Sequence, residues 1–279
     1  MDDRTEQPAP ERRPQDPQHG APSGDGAGST GASTTPPAMT PQQEGFAIAH
    51  GAEQNRLLRA LPLAEYAHLL PQLTSVRLGL KQVLIEADAP ITDIYFLRSG
   101  VSSMIAEEQE GGAVEVGTIG PEGFIGLPVL MGASRMPFRV FVQIEGDGLR
   151  MSADAFRRLV EERPAVRHLL MRFAQTFSDQ MSQSVACNRL HTLDERCARW
   201  LLMTHDRVHG ESFELTHEFL SYMLGVRRAG VTVAMGTLQG VGIIRYTRGR
   251  VTVLDRPRLE EASCGCYHIT RAAFDRLLG

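Results

Sequence analysis

The sequence predicts an α+β protein in three parts: an N-terminal antiparallel β-roll, a long helix, and a C-terminal winged helix-turn-helix. Three observations predict it. Between residues 76 and 151, short β-type runs alternate with glycines at close intervals. From 165 to 188, apolar residues recur every three to four positions, the period of one helix face. The stretch 216–236, THEFLSYMLGVRRAGVTVAMG, reads as helix, tight turn and helix, and the run 243–254 behind it reads as a two-stranded hairpin.

Composition bounds the possibilities. A chain of 279 residues, 42% hydrophobic and 22% charged, suits a soluble protein with one or two cores. Its formal net charge of −4 argues against a globally basic nucleic-acid coat, so any DNA contact must come from a local patch. The basic residues are arginines apart from Lys81. Four unevenly spaced cysteines make no disulfide framework and fit a reducing compartment. There is no apolar run long enough to span a bilayer and no signal-peptide core, which predicts a cytoplasmic protein with no membrane partner.

In chain order, residues 1–45 are rich in Pro, Gly, Ser, Thr, Ala and Gln without apolar periodicity. Such a segment cannot bury enough surface to offset its ordering entropy, and a disordered tail is expected. Met39 is an alternative start within it. The sensor-like roll is expected over 46–163. Short helices open it at 55–58 and 63–70, punctuated by Pro62 and Pro71, ahead of the strands. Strands are expected at 83–85, 94–97, 101–106, 114–119 and 138–144, broken by Gly100, Gly120, Gly123, Gly126, Gly132, Gly146 and Gly148. Ser152 is placed to cap a helix over 153–162. Pro164 opens the long helix, 164–188, since a first-turn residue needs no N–H. Its stripe runs through Val166, Leu170, Phe173, Phe177, Met181 and Ser184. A helix over 190–208, with Trp200 in its core, leads the winged module of 189–256, and 257–279 is a C-terminal extension.

Within the winged module, Leu220, Leu224, Val226, Val231 and Ala234 are spaced to face one shared core. Gly225 stands where the chain must reverse and a left-handed conformation is cheap only for glycine. Ser221 is small where the helices must cross. Arg227 and Arg228 open the second helix, the end that a DNA-reading helix inserts into the major groove. The hairpin turns at Arg248-Gly249. A plain helical hairpin with exposed arginines is the alternative that the turn, the packing period and the hairpin together disfavour.

Two segments make the pattern specific. IYFLRSG (94–100) and GTIGPEGFIGLPVLMG (117–132), with a helix-turn-helix behind them, resemble the cyclic-nucleotide-binding β-roll of the Crp/Fnr family of bacterial transcription regulators. The resemblance runs from about 57 to 254. It implies a homodimer whose long helix supplies the seam, through Leu170, Phe173, Phe177, Met181 and Ser184. It also implies palindromic double-stranded DNA as ligand and RNA polymerase as partner. Arg228 matches the family position whose arginine reads guanine. Arg227 replaces the serine that commonly caps this helix, and a phosphate contact is expected of it. Ala229 and Val233 stand where many relatives carry Glu and a second Arg, so the operator does not transfer. Thr216 and His217 at the start of the first helix, Thr232 one turn into the second, and Arg245, Arg248 and Arg250 of the wing complete the expected DNA contacts. Gly230 and Gly236 in the second helix predict close approach or bending.

The pocket departs from the family pattern. Cyclic-nucleotide binders carry a Glu after the glycine of the FIG segment and an Arg-Ser pair about ten residues on. Here Leu127 and Pro128 follow Gly126, and Pro137 and Phe138 stand at the later position. Arg135 and Arg139 are near but lack the required neighbours. The degenerate pocket is therefore Phe124, Ile125, Gly126, Leu127, Arg135, Phe138 and Arg139, with no cofactor and no cyclic nucleotide expected. A small apolar ligand is the alternative to an unused scaffold.

Other chemistries find little support. There is no cysteine before Cys187, which excludes the N-terminal iron–sulfur arrangement of Fnr-type sensors. Cys187, near the end of the long helix, is either an inert buried thiol or a partner in a disulfide across a two-fold axis. Cys264-Gly265-Cys266 with His268 invites a metal, but two ligands so close need two more, and no second pair stands out; no metal is expected. No nucleophile–base pair, phosphate-cradling loop or metalloprotease helix occurs, so no enzyme is expected. The rival to a DNA-binding regulator is a ligand-binding module that acts through protein partners.

Overall fold

A computed structural model describes residues 40–107 and 112–278. Met39 and most of the tail lie outside these residues, but the last part of the tail is helical. Thr40 caps helix α1 (Pro41–Gly51): its Oγ accepts from the Gln43 N–H, and the Gln43 side chain accepts from the Thr40 N–H at 2.8 Å. This capping box starts a helix ahead of the expected boundary at 45. Helices α2 (Arg56–Arg59) and α3 (Leu63–Leu69) follow, then a 3-10 turn at Leu70–Gln72. Asn55 ties this segment to the roll. Its Oδ1 accepts from the Leu58 N–H, and its Nδ2 donates to the carbonyls of Leu97 at 2.7 Å and Gly123 at 2.9 Å.

The roll consists of two four-stranded antiparallel sheets. One is ordered β1 (Thr74–Leu78), β8 (Gly146–Ser152), β3 (Asp93–Leu97), β6 (Phe124–Ile125). The other is ordered β2 (Val83–Ile85), β7 (Arg139–Ile144), β4 (Val101–Glu107), β5 (Ala113–Ile119). Strands β1, β6 and β8 add to those the sequence predicts. Gly148 does not break a strand, as expected of it, but lies inside β8, whereas Gly146 stands at the break between β7 and β8 as the first residue of β8. There a Cβ on Gly146 would meet the Ser99 carbonyl oxygen at 2.3 Å, and one on Gly148 the Phe96 carbonyl oxygen at 2.6 Å. Close approach of a neighbouring backbone, not a turn, requires these glycines.

Helix α4 (Leu127–Leu130) is a single turn after Gly126, and α5 (Ala153–Glu162) begins where Ser152 Oγ accepts from the Ala155 N–H. The long helix α6 (Pro164–Leu190) then crosses the roll. Here the sequence-based seam needs correction. Leu170, Phe173 and Phe177 are buried within the protomer, in the same core as Phe96, Phe124 and Phe156. Met181 is partly buried on that core, and Ser184 is half-buried with its Oγ donating to the Gln180 carbonyl. Periodicity reveals that one face is covered but not what covers it. The face left open carries His168, Met171, Gln175, Ser178, Ser182 and Val185.

The extension is part of the fold. Helix α10 (Arg256–Ala262) buries Leu259 in the C-terminal core. Helix α11 (Cys266–Leu278) packs on α6, with Phe274 beside Phe173 and the Arg172 guanidinium donating to the Arg276 carbonyl. Among the described residues, no helix is long and apolar enough to cross a membrane.

Candidate nucleic-acid interface

The C-terminal module starts at α7 (Leu193–His205), where Thr192 and Glu195 form a second capping box after a two-residue break from α6. The expected helix of 190–208 is thus shorter at both ends. Strand β9 (Ser212–Glu214) leads to α8 (His217–Leu224), capped by Thr216, whose Oγ1 accepts from the Phe219 N–H at 3.1 Å. Gly225 ends α8 in the left-handed region, φ 62° and ψ 41°, and its N–H reaches back to the Ser221 and Tyr222 carbonyls. Arg227 then has extended geometry as the N-cap of α9 (Arg228–Gly240) and makes no side-chain cap. That leaves its guanidinium and the first N–H groups of α9 without intrahelical partners, a cationic end to the helix.

One face of α9 is core and the other is open. Val231, Ala234, Met235 and Leu238 are buried against α7 and α8, whereas Arg228, Ala229, Thr232, Val233, Gly236 and Thr237 are exposed. The two glycines differ in reason. A Cβ on Gly230 would lie 2.9 Å from Leu193 Cδ2, so Gly230 packs closely on α7 and a larger residue would push the tip of that leucine aside. Gly236 meets nothing within 4 Å and leaves the outer surface of the helix low.

The wing is β10 (Ile244–Thr247) and β11 (Arg250–Val253), with β9 added at the β11 edge. Arg248 and Gly249 form its two-residue turn, both with positive φ (49° and 80°), the backbone that suits a tight hairpin. Arg245 and Arg250 point to the exposed side, since Ile244, Val251 and Val253 are buried.

The wing is held to the reading helices by contacts that sequence reasoning missed. Tyr246 stacks on His217 with ring centroids 4.3 Å apart, and its N–H donates to Gln239 Oε1 at 2.7 Å. His217 Nδ1 lies 3.1 Å from Thr232 Oγ1, which also donates to the Arg228 carbonyl. The Leu215 N–H donates to the Gly249 carbonyl at 2.7 Å. Burial, with Arg228 nearby, lowers the His217 pKa below the usual imidazole value. The structure thus groups Thr216, His217, Arg228 and Thr232 around one corner. The remaining site residues, Arg227, Arg245, Arg248 and Arg250, are exposed around it. Arg250 lies 3.8 Å from Glu214, an exposed pair.

The roll grips the module through buried polar groups. Glu122 of the GPEG segment meets Arg207, just past α7, at 2.7 Å, and both side chains are at most 8% exposed. Arg207 also donates to the Met203 carbonyl, and Glu122 accepts from the Gly120 N–H. Burial alone would raise the Glu122 pKa, but the Arg207 guanidinium outweighs it and holds the carboxyl below its usual range. Glu115 of β5 accepts from Trp200 Nε1 at 3.1 Å and contacts Ser103 Oγ at 2.8 Å. With no ion-pair partner in contact, burial pushes its pKa up to about 7. Phe219 packs edge-on against Phe141 of the roll and Trp200 of α7.

The expected pocket residues are in or on the roll, and its glycine segment is closed by apolar side chains. Phe124, Ile125 and Leu127 are buried and Phe138 is partly buried on the same core. A Cβ on Gly123 would lie 2.4 Å from the Phe173 ring, and one on Gly117 2.7 Å from the Phe177 ring. Arg135 donates to the Asp88 carbonyl, and Arg139 pairs with Glu107. The cysteine expectations also change. Cys264 and Cys266 have a second pair beside them, Cys187 and His191, while His268 is exposed and flanks Tyr267.

Comparison with known proteins follows this division. The model of the cyclic nucleotide-binding domain matches residues 76–163, and that of the Crp-like helix-turn-helix domain matches 195–262. No curated protein matches by sequence. Among solved structures, the chain is similar to FixK2 from Bradyrhizobium japonicum, with TM-score 0.60 and 15% identity over 69% of this chain and 98% of that one. It is also similar to a CRP-family transcriptional regulator from Thermus thermophilus, with TM-score 0.58 and 18% identity over 67% and 96%. The c-di-GMP-responsive global regulator CLP of Xanthomonas campestris gives TM-score 0.57 and 15% identity over 69% and 99%. At such identities the likeness is one of fold.

Proposed function

The chain belongs to the Crp/Fnr family of bacterial transcription regulators, and on that premise we propose that it binds a two-fold symmetric DNA site as a homodimer, reading bases with α9. The observation that carries this reading is the open face of α9, with Arg227 and Arg228 at its N-terminal end and the wing arginines beside it. Arg228 is the bidentate reader of a guanine edge, and Arg227, Arg245, Arg248 and Arg250 hold phosphates. His217, bonded to Thr232, orients that threonine toward the groove. RNA polymerase is the partner the family membership suggests.

The pairing seam in this proposal is the outward face of α6. His168, Met171, Gln175, Ser178, Ser182 and Val185 recur at alternating spacings of three and four, which suits two helices side by side. Met171 and Val185 are 44% and 72% exposed, an exposure that a partner helix would remove.

The roll acts in this proposal without a cyclic nucleotide. Leu127 stands in the core where a ribose-binding carboxylate would be needed, and Arg135 and Arg139 are engaged by Asp88 and Glu107. Among the described residues, Arg139 is already paired with a carboxylate and Arg135 is exposed at the surface rather than buried beside Leu127, so neither is set to hold a buried phosphate. Selection of bound sequences from random duplexes tests the whole reading: the expected result is a motif with two-fold symmetry and half-sites about one helical turn, roughly 34 Å, apart. A module that acts through protein partners would enrich no motif. Addition of cyclic AMP to the same assay is expected to leave affinity unchanged; a large gain would overturn the unused-pocket assignment.

A further inference from the structure

Three of the four cysteines converge on one histidine. Cys187 is in the last turn of α6, and His191 follows four residues later at the cap of that helix. Cys264 lies in the turn after α10 and Cys266, across Gly265, is the first residue of α11. The three sulfurs and a ring nitrogen of His191 all lie within 4.8 Å of one another. Cys187 Sγ is 3.5 Å from Cys264 Sγ, and Cys266 Sγ is 3.5 Å from His191 Nδ1. Bond lengths of about 2.3 Å to sulfur and 2.0–2.1 Å to nitrogen put neighbouring donors of a zinc tetrahedron about 3.5–3.8 Å apart. The thiols are buried, and the fourth cysteine, Cys197, stands elsewhere beside Met235.

We propose that Cys187, His191, Cys264 and Cys266 form a closed Cys3His site for a structural zinc ion. Four protein ligands leave no open coordination position, which makes the ion a structural rather than a catalytic one. Three thiolates and one zinc ion carry a net charge of −1, and the surroundings answer that charge. Arg196 and Arg199 of α7 both lie within electrostatic reach of Cys187, and the Nε of each is buried without a hydrogen-bond partner among the described residues. Gln183 Nε2 donates to Cys266 Sγ at 3.0 Å, an outer contact that suits a ligating thiolate. A disulfide would use two thiols and strand the third with the histidine. An iron–sulfur cluster inserts its own irons and sulfides and needs its ligands spread wider than this group.

The position of the site gives it a role. It joins the end of α6, the break at 191–192 before α7, and the turn that opens α11. Zinc there fixes the angle between the long helix and the DNA-binding module and secures the C-terminal helix to both. Cys187 and His191 are i and i+4 on one helix face, whereas the Cys-x-Cys pair is more than seventy residues away, which hides the set from a reading of spacing alone.

The test is elemental analysis of the full chain, purified without a histidine tag. One zinc per protomer is expected, with iron and acid-labile sulfide absent. Cys266→Ser and Cys187→Ser should each cut retained zinc by about tenfold or more, as loss of a ligand does, while His268→Ala leaves it unchanged. Because a ligand variant can fail to fold, the unaltered protein is also exchanged with cobalt(II). Thiolate-to-cobalt charge transfer and the intense visible bands of a tetrahedral site are then expected. A folded, metal-free protein with no cobalt spectrum, or one that holds iron and sulfide, would overturn the proposal.

Discussion

The roll and the winged module place their charged residues in opposite ways. In the roll, Glu115 and Glu122 face inward and meet partners from the C-terminal half. In the winged module, Arg227, Arg228, Arg245, Arg248 and Arg250 face outward. Buried charges cost much unless paired, so they fix geometry; exposed ones cost little and stay available to a ligand. On the proposed reading, the roll serves as a mount and the module is the part that meets DNA.

The sharpest way to break this contrast is to remove one half of the buried pair. Arg207→Met leaves the Glu122 carboxylate without its cation, and should destabilise the protein by about 3–5 kcal/mol in denaturant unfolding. A loss like that of an exposed pair, under about 1 kcal/mol, would mean that water reaches the carboxylate. The double variant Glu122→Gln with Arg207→Met should recover part of the loss.

Next is the pH dependence of Glu115. Its folded pKa, about 7, lies above the ordinary carboxyl value of 4.5, so the folded protein holds this proton more tightly than the unfolded chain. The group contributes its stability below pH 4.5 and loses it as pH rises through 7. Relative to Glu115→Gln, unfolding free energy should fall by up to about 1.4 kcal/mol per pH unit in that window. Arg199 and Arg207 act to lower this pKa, and Trp200 and Ser103 bond to the carboxyl. Identical pH profiles for the two proteins would show that folding leaves the Glu115 pKa at its ordinary value.

The outward arginines should give smaller, selective effects. Arg228→Ala is expected to cost about 1–3 kcal/mol of binding to the selected site and to relax one base position. Uniform weakening across all sequences would reassign Arg228 to phosphate. Arg248→Ala should leave sequence preference intact and reduce the slope of log affinity against log salt by about 0.9. An altered base preference would place the wing in a groove instead.

Much of this is legible in the sequence. Local backbone chemistry is the clearest part: Thr216 and Ser152 cap helices, Gly225 turns left-handed and Arg248-Gly249 turns the wing, because each depends on a few adjacent residues. What depends on distant neighbours is hidden. Gly148 looks like a break because the backbone it approaches, at Phe96, is some fifty residues away. The stripe of α6 is visible, yet Phe173 and Phe177 turn to the roll rather than to a second protomer. His217 is among the DNA contacts that the sequence predicts, but its stacking on Tyr246 and its bond to Thr232 require the wing to be folded back. The second pair of the thiol cluster, Cys187 and His191, escapes a reading of spacing for the same reason.

Binding of the purified protein to its selected duplex, measured across a range of salt and beside a duplex that carries one half-site, tests the central claim most directly. The account predicts two protomers on the symmetric site, much weaker binding to the half-site, and a salt slope several times about −0.9 that becomes shallower when wing or α9 arginines are removed. A protein that stays monomeric, binds both duplexes alike and ignores salt would contradict it.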